Sequence, residues 1–457
     1  MKSLLSKKIG LIVGCVLFGV AAHAQYLRSS YFMEGTSSRL QLNPGLQPTR
    51  GYFNVPVLGS FNIGTSSNVL GINDIVDVLD SGEDIFENDD LYSRLKSDNR
   101  LNVNLNTDIL SFGWYAGKGF WNVNVGLRAD VGASIPQSMF EYLRKVNRTE
   151  DINGSFSNMN FNLNAYTEIG LGYSRQITDK LSVGGRVKVL LGIARAEMAV
   201  DNFDISVDDA LVNGDYTNLN PYQTYGRAMV NARVSTTMKG GGLSFDETTG
   251  QIDGFDIDGS NFGIAGAGFG IDLGASYKVW DNLTVSAAVL DLGFIKWKEG
   301  ETTVAAPANG SFEVTGSNYQ DFIDGDFLSM DRFNFVQDKE AAENVKTTLA
   351  STILLAGEYG LLDNKLSVGA IYTARFAEPK TLNELTLSAT YRPKSWFNIA
   401  GSYSPIQAGG KSFGLALKLG PLFLGTDYMF FGNSSKAVNA FLGLSIPLGK
   451  QRCSDDI

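Results

Sequence analysis

Histidine and cysteine are almost missing from this chain. Its 457 residues hold one histidine, His23, and two cysteines, Cys15 and Cys453. With a leader of about two dozen residues removed, Cys453 alone remains and no histidine is left. An intramolecular disulfide, a Ser-His-Asp or Cys-His catalytic set and a histidine-ligated metal are then all excluded. Charge is scarce too. Asp, Glu, Lys and Arg make up 19% of the chain, and the balance is acidic, with a net charge of −10. Nucleic acid is not an expected partner, because phosphate binding needs a basic stripe. After the leader no run of about eighteen apolar residues occurs, so no helix reads as a membrane span. No Gly-rich phosphate loop occurs either, and no cofactor is expected.

The leader itself reads as an export signal. Lys2, Lys7 and Lys8 precede an apolar stretch from Ile9 to Val20, and Ala22-His23-Ala24 forms a small-x-small cleavage site. The expected cut falls between Ala24 and Gln25. Ile12-Val13-Gly14-Cys15 loosely fits a lipidation box, but Cys15 lies inside the apolar stretch.

What the chain has in quantity is glycine, 51 residues, and aromatic side chains, 11%. Mean hydropathy is −0.04. That is too low for a helical membrane protein and fits strands with one oily face. Alternation with period two is the main signal. Leu101, Val103, Leu105 and Ile109 alternate with Asn102, Asn104, Asn106 and Asp108. Trp121, Val123, Val125, Leu127, Ala129 and Val131 alternate with Asn122, Asn124, Gly126, Arg128 and Asp130. Asn160, Asn162 and Asn164 oppose Phe161, Leu163 and Ala165 in the same way. Successive strand side chains point to opposite faces, so each run has one apolar and one polar side. The runs span about nine to twelve residues, the length of a tilted strand crossing a bilayer.

A hairpin unit recurs: strand, aromatic, short polar turn, strand. Tyr173 leads into Thr178–Gly184, Tyr277 into Trp280–Ser286, and Tyr359 into Asp363–Gly369; a weaker copy runs from Tyr391 to Trp396. The aromatics suit an interfacial girdle, with short turns toward the periplasm. Between hairpins lie segments that do not alternate. Leu70–Leu95 and Ser138–Val146 read as amphipathic helices. Asn202–Asn261 reads as a long polar, Gly/Asp-rich loop with strand extensions, adding zero or two strands. Gly300–Val345 reads as a short strand at Phe312–Val314 with helical stretches near Phe322 and Glu340.

The expected fold is all-β: a transmembrane antiparallel up-and-down β-barrel of about 14 strands (roughly 12–16), with short helical inserts. The expected organisation is a signal peptide (1–24), an N-terminal lumen or plug segment (25–50), the barrel (51–449) and a polar tail (450–457). The expected location is the outer membrane of a gram-negative cell.

Two motifs carry a family resemblance. Asn43-Pro44-Gly45 resembles the Asn-Pro-Ala motif before the first strand of FadL-type transporters and of the related PorV family, with glycine in place of alanine. Gly268–Tyr277, which contains Asp272, resembles a Gly-x-Asp-Leu-Gly-x-x-Tyr strand of PorV-like proteins. The whole chain after the leader is similar to an uncharacterised family of such barrels. The resemblance implies fourteen strands, an N-terminal segment folded into the lumen, and an outer-membrane location.

Candidate site residues follow. Asn43, Pro44 and Gly45 form the plug motif. Asn102, Asn104, Asn106, Asp108, Asn122, Asn124, Arg128, Asp130, Asn160, Asn162, Asn164 and Asp272 would face the lumen, lining a hydrated path or packing it shut. Asp253, Asp256, Asp258 and Asn261 could hold calcium, but their spacing does not match an EF-hand loop, and a solvated loop is the plainer reading. Asp80, Glu83, Asp84, Glu87, Asp89 and Asp90 read as a solvated helix face. The expected role is passage of a small, hydrophobic solute, as in FadL-type proteins. The alternative is a PorV-like scaffold or shuttle with protein partners at the long loops. A barrel enzyme finds no acid pair to support it, and a soluble secreted β-protein is the remaining rival. Outer-membrane lipid is the partner that the oily faces imply.

Overall fold

The computed structural model describes residues 28–451, apart from 57, 70, 72–88, 149–152, 324–332, 344, 379, 408 and 429–435. The leader, its Ala24/Gln25 junction, most of the acidic helix expected within Leu70–Leu95, and residues 452–457 therefore lie outside the described residues.

In chain order the strands are β1 (Gly51–Asn54), β2 (Phe61–Ser67), β3 (Asp98–Ala116), β4 (Gly119–Pro136), β5 (Gly154–Gln176), β6 (Leu181–Val207), β7 (Thr224–Met238), β8 (Gly241–Phe245), β9 (Ile252–Ile257), β10 (Gly266–Trp280) and β11 (Leu283–Trp297). They continue as β12 (Thr302–Pro307), β13 (Ser311–Thr315), β14 (Phe335–Gln337), β15 (Lys346–Thr348), β16 (Thr352–Leu361), β17 (Leu366–Arg375), β18 (Leu382–Lys394), β19 (Phe397–Ile406), β20 (Ser412–Leu419), β21 (Leu422–Thr426) and β22 (Ala437–Leu448). All pair antiparallel, and β22 closes the ring against β1 and β2, which pair on their other edge with β3. With β1 and β2 taken as one interrupted strand, and β15 with β16 as another, 14 strands form the closed barrel. Among the described residues each ring strand is paired along both edges, as a hydrocarbon surround requires.

The two faces of the wall differ in kind. Val187, Val189, Phe269, Leu273, Leu355, Leu387 and Leu415 are exposed on the outside. Their chain neighbours Arg186, Lys188, Asp272, Ser388 and Thr386 are buried within. An outward apolar belt around a polar interior is the pattern of a transmembrane barrel. At the short-turn end Trp114, Tyr173, Tyr277, Trp280, Tyr359, Tyr391 and Trp396 are all exposed outward, as a girdle requires.

The wall is uneven in height. β5 and β6 run 23 and 27 residues, whereas β16, β17 and β19 run 10. The lower part of β6, Leu181–Gly192, pairs with β10; the upper part, Ala194–Val207, pairs with β7. Strand β7 also pairs with β12 and β13, so β7–β9 and β12–β14 build a second storey rather than ring strands. Asn202–Asn261, expected as a long polar loop with strand extensions, thus holds the end of β6 and strands β7–β9. Its strands carry few apolar residues because most of their area meets water, yet they enclose a separate core of Phe140, Tyr142, Phe156, Val230, Phe333 and Phe335. The expected helix at Ser138–Val146 is present as α-helix Gln137–Arg148, and helices Gln320–Ile323 and Lys339–Ala342 occupy the expected insert.

Candidate functional site

The polar lumen and the N-terminal segment threaded against it form the candidate site. Register places the alternating asparagines on one face. On β3 and β4, Asn104 lies opposite Asp130 and Asn106 opposite Arg128; on β4 and β5, Asp130 lies opposite Asn164 and Ser134 opposite Asn160. Asn102, Asn104, Asp108, Asn122, Asn124 and Arg128 are buried there. Asn106, Asp130, Asn160, Asn162 and Asn164 are half-buried on the same face. One irregularity interrupts the pattern. A bulge at Ile109 takes β3 from even-numbered to odd-numbered inward residues, so Ser111 pairs with Asn124 and Ile109 points outward.

Inside the wall the charges are paired. The Arg128 guanidinium donates to both oxygens of Glu168, at 3.1 and 2.9 Å, and Asn124 donates to the same carboxylate at 2.9 Å. Lys188 bridges Asp272, at 2.7 Å, and Asp291. Asp272 also accepts the Asp291 backbone N–H at 2.7 Å. Asp130 accepts from Asn104 next to it and from Arg375 on β17, at 2.5 Å. A buried charge is tolerable only with such partners. Glu168, Arg186, Lys188, Asp291 and Arg375 were not singled out from sequence, although Arg186 and Lys188 alternate with Val187 and Val189 as the pattern demands. Among the described residues no group of three or more Asp, Glu, Cys or His is placed to hold a metal. The Asp258 carboxylate caps its own turn, accepting from the Ser260 N–H and hydroxyl; Asp253 and Asp256 belong to β9.

The N-terminal segment contains a 3-10 turn, Ser29–Phe32, and a short helix, Ser38–Leu42, and nearly every residue of both is buried. Its first anchor is Arg28. The backbone N–H groups of Arg28 and Ser29 donate to the two oxygens of Asp427, at 3.0 and 2.7 Å. The guanidinium meets Glu384 at 3.0 Å and the Tyr428 hydroxyl at 2.6 Å. Burial works against the Arg28 charge, but Glu384, Tyr428 and Asp427 outweigh it and hold its pKa above the ordinary arginine value. A second anchor is Gln41, which donates to Asp108 at 2.6 Å. The Leu40 carbonyl beside it accepts from Arg186 at 3.2 Å.

The third anchor joins the two sequence motifs. Asn43 Nδ2 donates to the Tyr31 hydroxyl and to the carbonyls of Ala275 and Ala287, at 3.1–3.3 Å, while its Oδ1 accepts the Gly45 N–H at 2.8 Å. This turn presses on a pair of opposed glycines, Gly184 on β6 and Gly274 on β10. A Cβ on Gly184 would stand 2.0 Å from the Pro44 oxygen, and one on Gly274 2.0 Å from Asn43 Oδ1. Gly274 is thus the wall position that admits Asn43-Pro44-Gly45, a contact that neither motif discloses alone.

Beside these charges, on β11, β16 and β17, part of the inner wall is apolar. Ala288, Leu290, Leu354 and Ile371 pack on Tyr31, Phe32 and Leu42. The lumen wall therefore carries an oily stripe among its charged and hydroxylated groups, and the N-terminal segment packs on that stripe.

No curated protein matches the sequence. Solved structures similar in fold include the toluene transporter TbuX of Ralstonia pickettii, with 11% identity, 93% of this chain and 95% of that one covered, and a TM-score of 0.43. The toluene transporter TodX of Pseudomonas putida shows 10% identity, 93% of each chain and 0.37. A FadL homologue of Pseudomonas aeruginosa shows 9%, 93% and 98%, and 0.39. The family model described as "Family of unknown function (DUF5723)" matches residues 44–427, from the Asn-Pro-Gly turn to the Arg28 anchor at Asp427, and the chain belongs to that family.

Proposed function

We propose that this protein is an outer-membrane channel of a gram-negative cell for a small hydrophobic solute, with residues 25–50 as its plug. The oily inner stripe of Ala288, Leu290, Leu354 and Ile371 carries the reading. A lumen meant only for ions or sugars gains nothing from an apolar wall, and an apolar solute needs one to leave water. The plug covers that stripe with Tyr31, Phe32 and Leu42, so passage requires the segment to shift. Residues 1–24 direct export and are removed after Ala24, which mass spectrometry of the mature N-terminus at Gln25 checks directly. Cells expressing the protein should take up toluene faster than cells lacking it, with no gain for a sugar of similar size. Equal uptake of every solute class would sink the channel reading.

A second reading has one observation in its favour. Tyr222, Ile257 and Phe262 on the second storey are largely exposed, Tyr222 at 95%. Such apolar groups above a membrane belt suit a protein partner at the long connections, as a scaffold needs. Crosslinking in native membranes from Tyr222→Cys should trap that partner; a clean monomer band argues for the channel alone.

A further inference from the structure

At the short-turn mouth of the barrel lies a cavity of about 400 Å³ between residues 34–37 and 48–52 of the N-terminal segment and the turns that close β16–β17, β18–β19 and β20–β21. Its charge runs against that of the chain. The whole protein carries −10, yet Arg50, Lys365, Arg392, Lys394 and Lys418 all line this cavity. Among the described residues the lining itself contributes two carboxylates, Glu34 and Asp363.

Lys418 is the telling member. The residue is 6% exposed. Its ammonium donates to two backbone carbonyls, of Glu34 at 2.8 Å and Ser395 at 3.1 Å. No carboxylate among the described residues reaches it as an ion pair. The Glu34 carboxylate acts on it only from beyond contact and lies 3.8 Å from Arg392. Arg392 in turn is matched by Glu358 at 2.8 Å. Elsewhere in this barrel every buried cation named above has a carboxylate against it: Arg28 with Glu384, Arg128 with Glu168, Lys188 with Asp272. Burying a charge without a counter-charge is costly. Among the described residues Arg50, Lys365 and Lys394 likewise have no carboxylate in contact, and Arg50 donates to the Gln451 side-chain oxygen at 3.1 Å.

We infer that the cavity is an anion site that takes a phosphate group, whose oxygens supply the counter-charge Lys418 lacks. A phosphate monoester carries about −1.5 to −2 near neutral pH and suits several cations at once better than a single carboxylate does. The group can arrive as a soluble phosphate compound or as the headgroup of a lipid at the adjoining membrane surface, where Trp396, another lining residue, stands exposed. The site is independent of what crosses the lumen.

The test uses the full-length protein in a phosphate-free detergent, with inorganic phosphate and, separately, dihexanoyl phosphatidic acid as titrants. Saturable binding is expected by calorimetry, weakened at least about tenfold in Lys418→Met and measurably in Arg50→Gln. Arg175→Gln, at the same end of the barrel but outside the cavity, should bind as the parent does. The heat-dependent gel mobility of a folded barrel shows whether each variant is folded. Arg50→Gln leaves the buried contacts intact, so the inference can be judged even if Lys418→Met fails to fold. Tighter, competing binding of the lipid phosphate identifies a headgroup, and equal binding of both identifies a soluble source. No saturable binding of either titrant, or parent-like binding by both variants, overturns the inference.

Discussion

At the scale of single residues, two glycines and one asparagine determine how the N-terminal segment sits. Gly184 and Gly274 are wall positions where a methyl group would overlap the Pro44 oxygen or Asn43 Oδ1. Alanine there either pushes the turn inward or bends two paired strands, and overpacking of this kind costs about 1–3 kcal/mol. The turn is the softer element, so Gly274→Ala should leave the barrel folded and free the segment. Trypsin should then cut at Arg39, which the parent protects, at least about tenfold faster. Unchanged protection would show that the strands yield instead. Sequence alone suggested that Asn43-Pro44-Gly45 mattered but not what it touched. Its partners in the barrel wall lie more than a hundred residues away, and no local pattern encodes them.

The same scale explains Arg28. Removing one member of a buried pair leaves the other uncompensated, which costs about 3–5 kcal/mol, whereas replacing both with apolar groups is far milder. Glu384→Gln should therefore lower the urea midpoint in detergent more than the double variant Arg28→Met, Glu384→Leu. A double variant that loses as much as the sum of its parts would mean that the pair is not coupled.

Among elements, β3 shows how far alternation can be trusted. Its first half obeys the period and its second half obeys the opposite parity, because Ile109 is an extra residue between Asp108, paired with Gly126, and Leu110, paired with Val125. Deleting Ile109 joins two halves already in register. That variant should fold with a yield within about twofold of the parent by heat-dependent gel mobility, whereas deleting Val123 turns every later side chain of β4 to the wrong face and should abolish folding. The second storey is the other element-scale lesson. Strands β7–β9 and β12–β14 lack the oily face that betrays a membrane strand, because their outer side meets water. The pairing of β7 to the upper half of β6, and of β8, β12 and β13 to β7, shows that they are strands outside the ring.

For the whole molecule, the outward belt makes a membrane the expected solvent. Leu273 sits near the middle of β10, 53% exposed on the outside. Leu273→Arg should destabilise the barrel by about 2–4 kcal/mol when it folds into liposomes. The penalty should nearly vanish in a short-chain detergent, where the charge can reach water. Equal penalties in both media would argue that the belt is not lipid-facing at that height.

What the sequence determined by itself is the barrel. Period-two alternation, a recurrent aromatic-turn unit and the want of apolar helices are local properties, written into neighbouring residues, and they suffice for a closed antiparallel wall with a polar inside. That the asparagine rows share one face of the wall follows from the same alternation. What only the tertiary structure decided is what fills that wall. The pairing of Lys188 with Asp272 and Asp291, the glycine seat of Asn43, the oily stripe under Tyr31 and Phe32, and the unmatched charge of Lys418 all arise between distant segments. Alternation says which way a side chain points. Closing the ring decides what it meets there, because that depends on strand register, bulges and the path of a segment that has no period of its own.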